Sequence, residues 1–260
     1  MKDIEVSVLI ANYNNQKYLS ECIESIKKQT YQNIEIIIHD DFSSDDSIKS
    51  ITRYKNIKII KHKKRGKYGS YNQINAYYRA FKKSRGKVIF FLDSDDLFKK
   101  DKIKTVINTF LKNKKMSSLF DLPIIKYEKK LKFIKNKFFF ISNYWPYIPP
   151  QSCIAMRREE FKKMIDKINF NLFPDIWMDF RIGLYFKYIK KNFYILDKNL
   201  TYYRQSAEMI SMNFKFLSFA WWKRRKQAHK YVEYFFLKNN LKYVKNLDYL
   251  LTNFINFFIK

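Results

Sequence analysis

Val88-Ile89-Phe90-Phe91-Leu92-Asp93-Ser94-Asp95-Asp96 holds the key to the fold: a pure apolar run of strand length stops abruptly at three carboxylates within four residues. Apolar, β-branched and aromatic residues without polar alternation mark a strand buried on both faces. Outward from it the same pattern recurs. Val6 to Ala11 ends in Asn12-Tyr13-Asn14-Asn15, Ile34 to Ile38 stops at His39-Asp40-Asp41, and Ile57 to Ile60 gives a third buried run. Between these lie stretches with helical signals. Lys17 to Gln29 carries apolar residues at helical spacing, Ser43-Ser44-Asp45-Asp46 reads as the start of a helix reaching about Tyr54, and a basic loop from Lys61 to Gly69 leads into a helix that ends near Lys83, before Gly86. Such alternation predicts an α/β fold, a mostly parallel central sheet with helices on both faces. Ligands of open parallel sheets bind beyond the carboxyl ends of the strands. Three polar clusters fall at those ends, and that coincidence locates a site.

The second half reads less regularly. Ile103 to Lys114 predicts a helix, Ile124 to Ile141 an edge strand or hairpin, and Gln151 to Met156 a strand. Glu159 to Ile165 and Phe180 to Tyr188 look helical, Asn192 to Leu196 extended, and the chain from about Asn213 onward helical, aromatic and basic.

In an extended segment Asp93 and Asp95 point the same way, so both can face one cation. Oxygen donors of this kind suit Mg²⁺ or Mn²⁺, which bind through few carboxylates plus substrate phosphates. The alternative is a capping role for Asp95 or Asp96 at a helix beginning near Lys99.

Taken in order and with their strand context, Ser7-Val8-Leu9-Ile10-Ala11-Asn12-Tyr13-Asn14, Asp40-Asp41-Phe42-Ser43-Ser44-Asp45 and Phe91-Leu92-Asp93-Ser94-Asp95-Asp96 resemble the family 2 glycosyltransferases. The resemblance is close over about the first hundred residues and continues more weakly to Tyr203-Arg204. It implies a GT-A-like domain over 1–205, with a nucleotide-binding half (1–100) and an acceptor-binding half (101–205), followed by an aromatic, basic helical segment over 206–260. It also implies inverting, metal-dependent transfer of a sugar from a nucleotide donor, UDP-linked by preference, to a glycan or lipid-linked acceptor in surface polysaccharide or lipooligosaccharide synthesis.

Carried over position by position, the resemblance puts Tyr13 against the nucleobase and has Asp41 accept a hydrogen bond from the base. Asp93 would contact the ribose or the metal's water shell, and Asp95 would bind the Mn²⁺ or Mg²⁺ ion. Ala11, Asn14 and Ser94 join them as donor-binding positions. The family's Glu-Asp pair before an amphipathic helix falls on Asp175-Ile176-Trp177-Met178-Asp179-Phe180, with Met178 in place of the glutamate. Asp179 matches the catalytic base, and Asp175 is its reserve. Leu200-Thr201-Tyr202-Tyr203-Arg204 resembles the end of the catalytic domain and offers Arg204 as a diphosphate clamp, although Ser206 stands where a histidine is usual. Other departures are Phe42-Ser43 in place of Gly-Ser, and Asn72 and Asn75, neither in phase with the usual Arg-Asn. Asp40, Asp45 and Asp46 read as structural, and Lys64, Arg65 and Lys67 as a solvated basic loop, with phosphate contact as the alternative.

Composition bounds these expectations. A chain of 260 residues with 47% hydrophobic residues can form one α/β domain with a helical appendage. The net charge of +28 suggests a polyanionic partner, or else an AT-rich coding bias. Cys22 and Cys153 have no metal or redox spacing and read as buried thiols; His39, His62 and His229 read as incidental. No signal peptide and no apolar run near the ~18 residues of a membrane span are evident, so a cytoplasmic protein is expected, either soluble or peripheral on the inner face of the cytoplasmic membrane. Phe214, Phe216, Leu217, Phe219, Trp221 and Trp222, interleaved with Lys215, Lys223, Arg224, Arg225 and Lys226, suit an anionic membrane surface. The same aromatics could instead pack onto the domain or join a homodimer through the C-terminal helices. Rival activities are a sugar-phosphate nucleotidyltransferase, whose glycine-rich opening loop is missing here, and a nucleic-acid-binding protein, for which no motif appears.

Overall fold

The computed structural model describes residues 5–128, 130–135, 145, 148–191, 194–205 and 215–259. Its first half follows the hydrophobic runs: β1 (Val6–Asn12), α1 (Gln16–Lys27), β2 (Ile34–Asp40), α2 (Ser47–Ser50), β3 (Ile57–Lys61), α3 (Gly69–Lys82) and β4 (Val88–Asp93). These four strands pair in parallel, β1 lying between β2 and β4. Side chains alternate between two cores. Val8, Ile10, Ile38, Phe90 and Leu92 face α1, whereas Leu9, Ile37, Ile89 and Phe91 face α3. Gly86 precedes β4 for a steric reason: a Cβ there would lie 2.4 Å from the Ser7 amide nitrogen on β1.

The second half comprises β5 (Leu97–Phe98), α4 (Lys102–Lys112), β6 (Ser118–Lys126), β7 (Leu131–Phe133), β8 (Ile154–Arg157), α5 (Arg158–Ile168), α6 (Met178–Leu184), β9 (Tyr194–Arg204), α7 (Phe219–Lys238) and α8 (Leu247–Phe258). The sheet order is β3-β2-β1-β4-β8-β6-β9-β5, with β7 paired to β6. Strand β8 is antiparallel to both β4 and β6, so the sheet is parallel in its N-terminal half and mixed beyond.

Several local expectations are corrected. The helix foreseen from Ser43 to Tyr54 is a single turn, because the Ser50 and Thr52 hydroxyls bond back to the carbonyls of Ser47 and Lys49 and compete with continuation. Asp45 does open that turn, accepting from the Ser47 amide. The expected strand at Gln151 begins with a 3₁₀ turn over Gln151–Cys153. The helix after Phe180 widens into a π-turn over Tyr185–Lys190, and the extended segment runs on to Arg204. The hairpin expected from Ile124 is β6–β7, but β6 starts at Ser118 and lies inside the sheet; the part expected beyond residue 135 falls outside the described residues. The residue before α4 is Asp101, so neither Asp95 nor Asp96 caps that helix.

Helix α7 does not stand apart from the sheet domain. Ala228, Tyr231, Val232, Phe235 and Phe236 pack on Ile176, Phe180 and Leu184 around α6. Helix α8 then lies against α7 with inverted polarity. Its inward stripe is Asp248, Thr252 and Asn256, with Asn256 donating to the Trp222 carbonyl, while Leu247, Leu250, Leu251, Phe254, Phe257 and Phe258 are exposed.

Candidate functional site

The polar loops after β1, β2 and β4 are stitched together by short side chains. Asn12 Nδ2 donates to Asp40 Oδ1 at 2.7 Å, and the Asn14 amide donates to Ser43 Oγ at 2.9 Å. The Ser44 amide donates to Asn14 Oδ1 at 2.9 Å, and Asn15 Nδ2 to Ser94 Oγ at 2.5 Å. Asp40 is thus structural, as the sequence suggested. Phe42, where a glycine is usual, takes φ of 63°, the left-handed conformation that a side chain disfavours.

These loops form one wall of a cavity of about 1010 Å³. Ala11, Tyr13, Asn14, Asp41, Asp93, Ser94, Asp95 and Asp179, all singled out from the sequence, line it together. Two do not. Asp175 lies outside the lining, and Arg204 sits behind the carboxylate loop, donating from Nε to the Asp95 carbonyl (2.8 Å) and pairing with Glu21 (2.7 Å). The Arg204 amide also donates to Asp96 Oδ1 at 2.8 Å. Arg204 braces the loop from below.

The carboxylates are in unlike surroundings. Asp93 Oδ1 accepts from Tyr77 Oη (2.7 Å), Gln73 Nε2 (2.8 Å) and Gln151 Nε2 (3.2 Å), which fix its orientation. The Asp95 carboxylate accepts no hydrogen bond from another side chain among the described residues and lines the cavity. Burial, then the charge of Asp93, pushes its pKa up to about 7. Asp96 is raised as well, by burial and by its two neighbours, and its Oδ2 is buried without a hydrogen-bond partner. Asp93 is thus well supplied with donors, whereas the Asp95 carboxylate and Oδ2 of Asp96 are not. Among the described residues no group of three or more His, Cys, Asp or Glu forms a ready metal cage. Asp95, facing the cavity, is an oxygen donor of the kind a hard divalent ion takes together with substrate oxygens and water.

Asp41 is half-enclosed by bases: Arg65 Nε lies 3.0 Å from Oδ2, and His62 Nδ1 lies 3.3 Å from Oδ1. Burial nonetheless holds its pKa above the usual value. The Arg65 guanidinium also lies 3.4 Å over the Tyr13 ring. Arg65 is therefore part of the cavity and not of a solvated loop, and His62 is not incidental; Lys64 and Lys67 are exposed as expected.

Asp179 stands in the first turn of α6, its Oδ1 accepting from the Phe180 amide at 2.9 Å. Burial raises its pKa to about 6, against the helix-start amide and the nearby Arg224, which favour the charged form. Tyr203, also on the cavity wall, has its phenol pushed far up by burial and by the surrounding aspartates.

Gln73, Tyr77 and Gln151 were not singled out from the sequence. Gln73 and Tyr77 are one helical turn apart, and a polar-tipped pair on the buried face of an amphipathic helix was the available signal. Trp145, Trp177, Trp221, Arg224 and Arg225 also line the cavity and were missed as cavity residues, because only the packing of α7 on α6 brings them to the strand ends.

The family model for Glycosyl transferase family 2 matches residues 7–178. An uncharacterized glycosyltransferase of Nostoc sp. is 31% identical over 220 residues, covering 77% of this chain and 65% of that protein. The Escherichia coli enzyme WfaP, named as a UDP-Glc:alpha-D-GlcNAc-diphosphoundecaprenol beta-1,3-glucosyltransferase, is 40% identical over 111 residues, 43% of each chain. Among solved structures, Staphylococcus aureus TarS 1-349 in complex with UDP-GlcNAc aligns with a TM-score of 0.61 at 17% identity, covering 88% of this chain and 66% of TarS 1-349. The chain thus spans just under two thirds of the Nostoc relative and of the TarS fragment.

Proposed function

This chain belongs to glycosyl transferase family 2, and from that membership we propose that it moves a sugar from a UDP-linked donor to a hydroxyl of a lipid-linked saccharide, with inversion. The observation that carries the reading is the convergence on one cavity of Asp41, Asp93 and Asp95 from the sheet and Asp179 from α6. Tyr13 and Asp41 would receive the nucleobase, the first through its flat face and the second through a ring N–H. Arg65 spans both in the structure and would have to yield one of them. Asp95, with Asp93 held rigidly beside it, would hold a Mg²⁺ or Mn²⁺ ion, whose contribution when bound is to neutralise the departing diphosphate. Asp179 would take the proton of the acceptor hydroxyl as its oxygen bonds to the anomeric carbon, and the bond from that carbon to the diphosphate oxygen breaks. A pKa near 6 keeps most of the base ionised at neutral pH without leaving it too weak to accept a proton.

The acceptor class draws support from WfaP, named for a diphosphoundecaprenol acceptor, and from the C-terminal helices. No helix among the described residues is long and apolar enough to cross a membrane. The outward leucines and phenylalanines of α8 and the exposed Phe216, Leu217 and Phe219 would instead lie in the headgroup zone of an anionic bilayer, with exposed Lys215, Lys223, Lys242 and Lys245 meeting its phosphates. Phe214 lies outside the described residues, and Trp221 faces the cavity, so α8 replaces those two in the expected membrane contact.

The test is a screen of UDP-, GDP- and dTDP-sugars with Mn²⁺, reading nucleoside diphosphate release. UDP release from a UDP-sugar that disappears in Asp95→Ala protein of unchanged melting behaviour is the expected result. No release from any donor, with lipid-linked acceptors supplied, would overturn the reading.

A further inference from the structure

The cavity has two chemically distinct walls. The strand-end wall carries the carboxylates and is accounted for by a nucleotide donor. The same cavity lining also holds Trp145, Trp177 and Trp221 together with Arg224 and Arg225, and Asp179 feels the charges of both Arg224 and Asp93. Three of the four tryptophans in the chain thus meet at one place.

Their arrangement is held firmly. Arg224 lies 4.2 Å over the Trp177 ring, and Arg225 lies 4.4 Å from the Trp145 ring and 4.9 Å from that of Trp221. Asp248 of α8 binds Arg225 Nη2 at 2.6 Å and accepts from Trp145 Nε1 at 2.6 Å, so α8 fixes this wall from behind. Arg225 is thereby neutralised. Arg224 is close enough to Asp179 for each to favour the other's charged form, which puts a guanidinium beside the group placed to activate the acceptor. Flat indole faces pack against the C–H faces of a sugar ring. A guanidinium over an indole matches a phosphate with two parallel hydrogen bonds, which an ammonium cannot reproduce.

We propose that Trp145, Trp177, Trp221 and Arg224 form the acceptor subsite, and that it takes a saccharide whose reducing end carries a phosphate or diphosphate ester. The proposal rests on the glycosyltransferase reading for the role of the bound saccharide. Tryptophans hold the ring and Arg224 holds the ester, which turns a hydroxyl of that ring toward Asp179. Substrates lacking the phosphate lose only the Arg224 contact.

Binding can be read without turnover, because the wall carries its own fluorophores. Tryptophan fluorescence of the full chain is titrated with monosaccharides as octyl diphosphate esters and with the same monosaccharides as octyl glycosides. Wild-type protein should bind the diphosphate esters about 10- to 100-fold more tightly, the range expected of hydrogen bonds to a charged group. Arg224→Gln should reduce that preference to within about threefold, Arg224→Lys should restore part of it, and UDP affinity should stay unchanged in both. Equal binding of the two ligand classes by wild-type protein overturns the proposal. So does a preference that survives Arg224→Gln, or a loss of UDP affinity in that variant, which would assign Arg224 to the donor. Discrimination of the esters without sugar transfer from any nucleotide donor would refute the reaction while leaving the subsite standing.

Discussion

The sharpest consequence of the site geometry concerns Asp179. Burial lifts its pKa to about 6, from a usual value near 4. If it accepts the acceptor's proton, kcat/KM should be flat above pH 7 and fall about tenfold per unit below pH 6; at pH 5 roughly a tenth of the molecules keep an ionised base. Asp179→Asn should lose about 10²–10⁴ of the transfer rate and, with it, the acid limb in the residual activity. Calorimetric titration with UDP should find donor affinity unchanged.

The same shift predicts a stability change of opposite sign. A carboxyl whose folded pKa is raised binds its proton more tightly in the folded state, so its stabilising effect is present at low pH and lost as pH rises through about 6. Asp179→Asn should therefore melt higher than wild type at pH 8, and that advantage should disappear towards pH 4. A shift of about two units sets a ceiling of roughly 3 kcal/mol on this gain. A variant that loses rate while gaining stability has lost a functional group and not its fold. If Asp175→Asn is instead the severe mutant and Asp179→Asn keeps both rate and acid limb, the base is Asp175, in the turn before α6, and the reasoning fails.

Asp95→Asn should abolish turnover that EDTA also abolishes in wild-type protein, and in metal-free buffer it should melt higher than wild type above about pH 7, where the buried carboxylate would be charged; near-normal turnover in EDTA refutes the metal. Phe42→Gly should be more stable to urea than Phe42→Ala by about 1 kcal/mol, since only glycine relieves the left-handed backbone at φ 63°. Lys102→Met, which strands Asp121 from its 2.7 Å partner in a fully buried pair, should cost about 3–5 kcal/mol in chemical denaturation. Replacing Leu251 and Phe254 by aspartate should release the protein from anionic liposomes in sedimentation assays without changing its melting temperature; wild type that ignores anionic vesicles, or that forms a dimer through this face, refutes the bilayer assignment.

How far the sequence revealed these features depended on where each strand lies. Strands β1, β2 and β4 are buried on both faces of the parallel half, so they read as unbroken apolar runs whose polar ends stand out. Strand β6 does not, because it carries Asp121 and Pro123. The Asp121 carboxylate is tolerable in the interior only through Lys102, which also donates to the Ser152 carbonyl and the Thr201 hydroxyl. Lys102, on α4, and Asp121 are nineteen positions apart, and Thr201 is far along the chain, so no local pattern could pair them. Strand β9 reads short for a similar reason: Asp197, Lys198 and Asn199 interrupt its apolar character where its register against β6 slips. The clamp on Asp93 was hidden because Gln73, Tyr77 and Gln151 look like ordinary polar punctuation until two elements bring them to one oxygen.

The C-terminal helices show what this implies for the site as a whole. Aromatic and basic residues over 215–226 were legible as a surface, yet the structure divides them between two surroundings. Phe216, Leu217 and Phe219 face outward, while Trp221, Arg224 and Arg225 face the cavity. The divider is α8, whose inward polar stripe holds Asp248 against Arg225 and Asn256 against the Trp222 carbonyl, and whose apolar face turns away from the protein. One helix therefore both orders the tryptophan wall and presents the exposed leucines and phenylalanines. A saccharide ester bound at that wall and a bilayer against that face would thus both depend on α8 in the proposed transfer to a membrane-tethered acceptor.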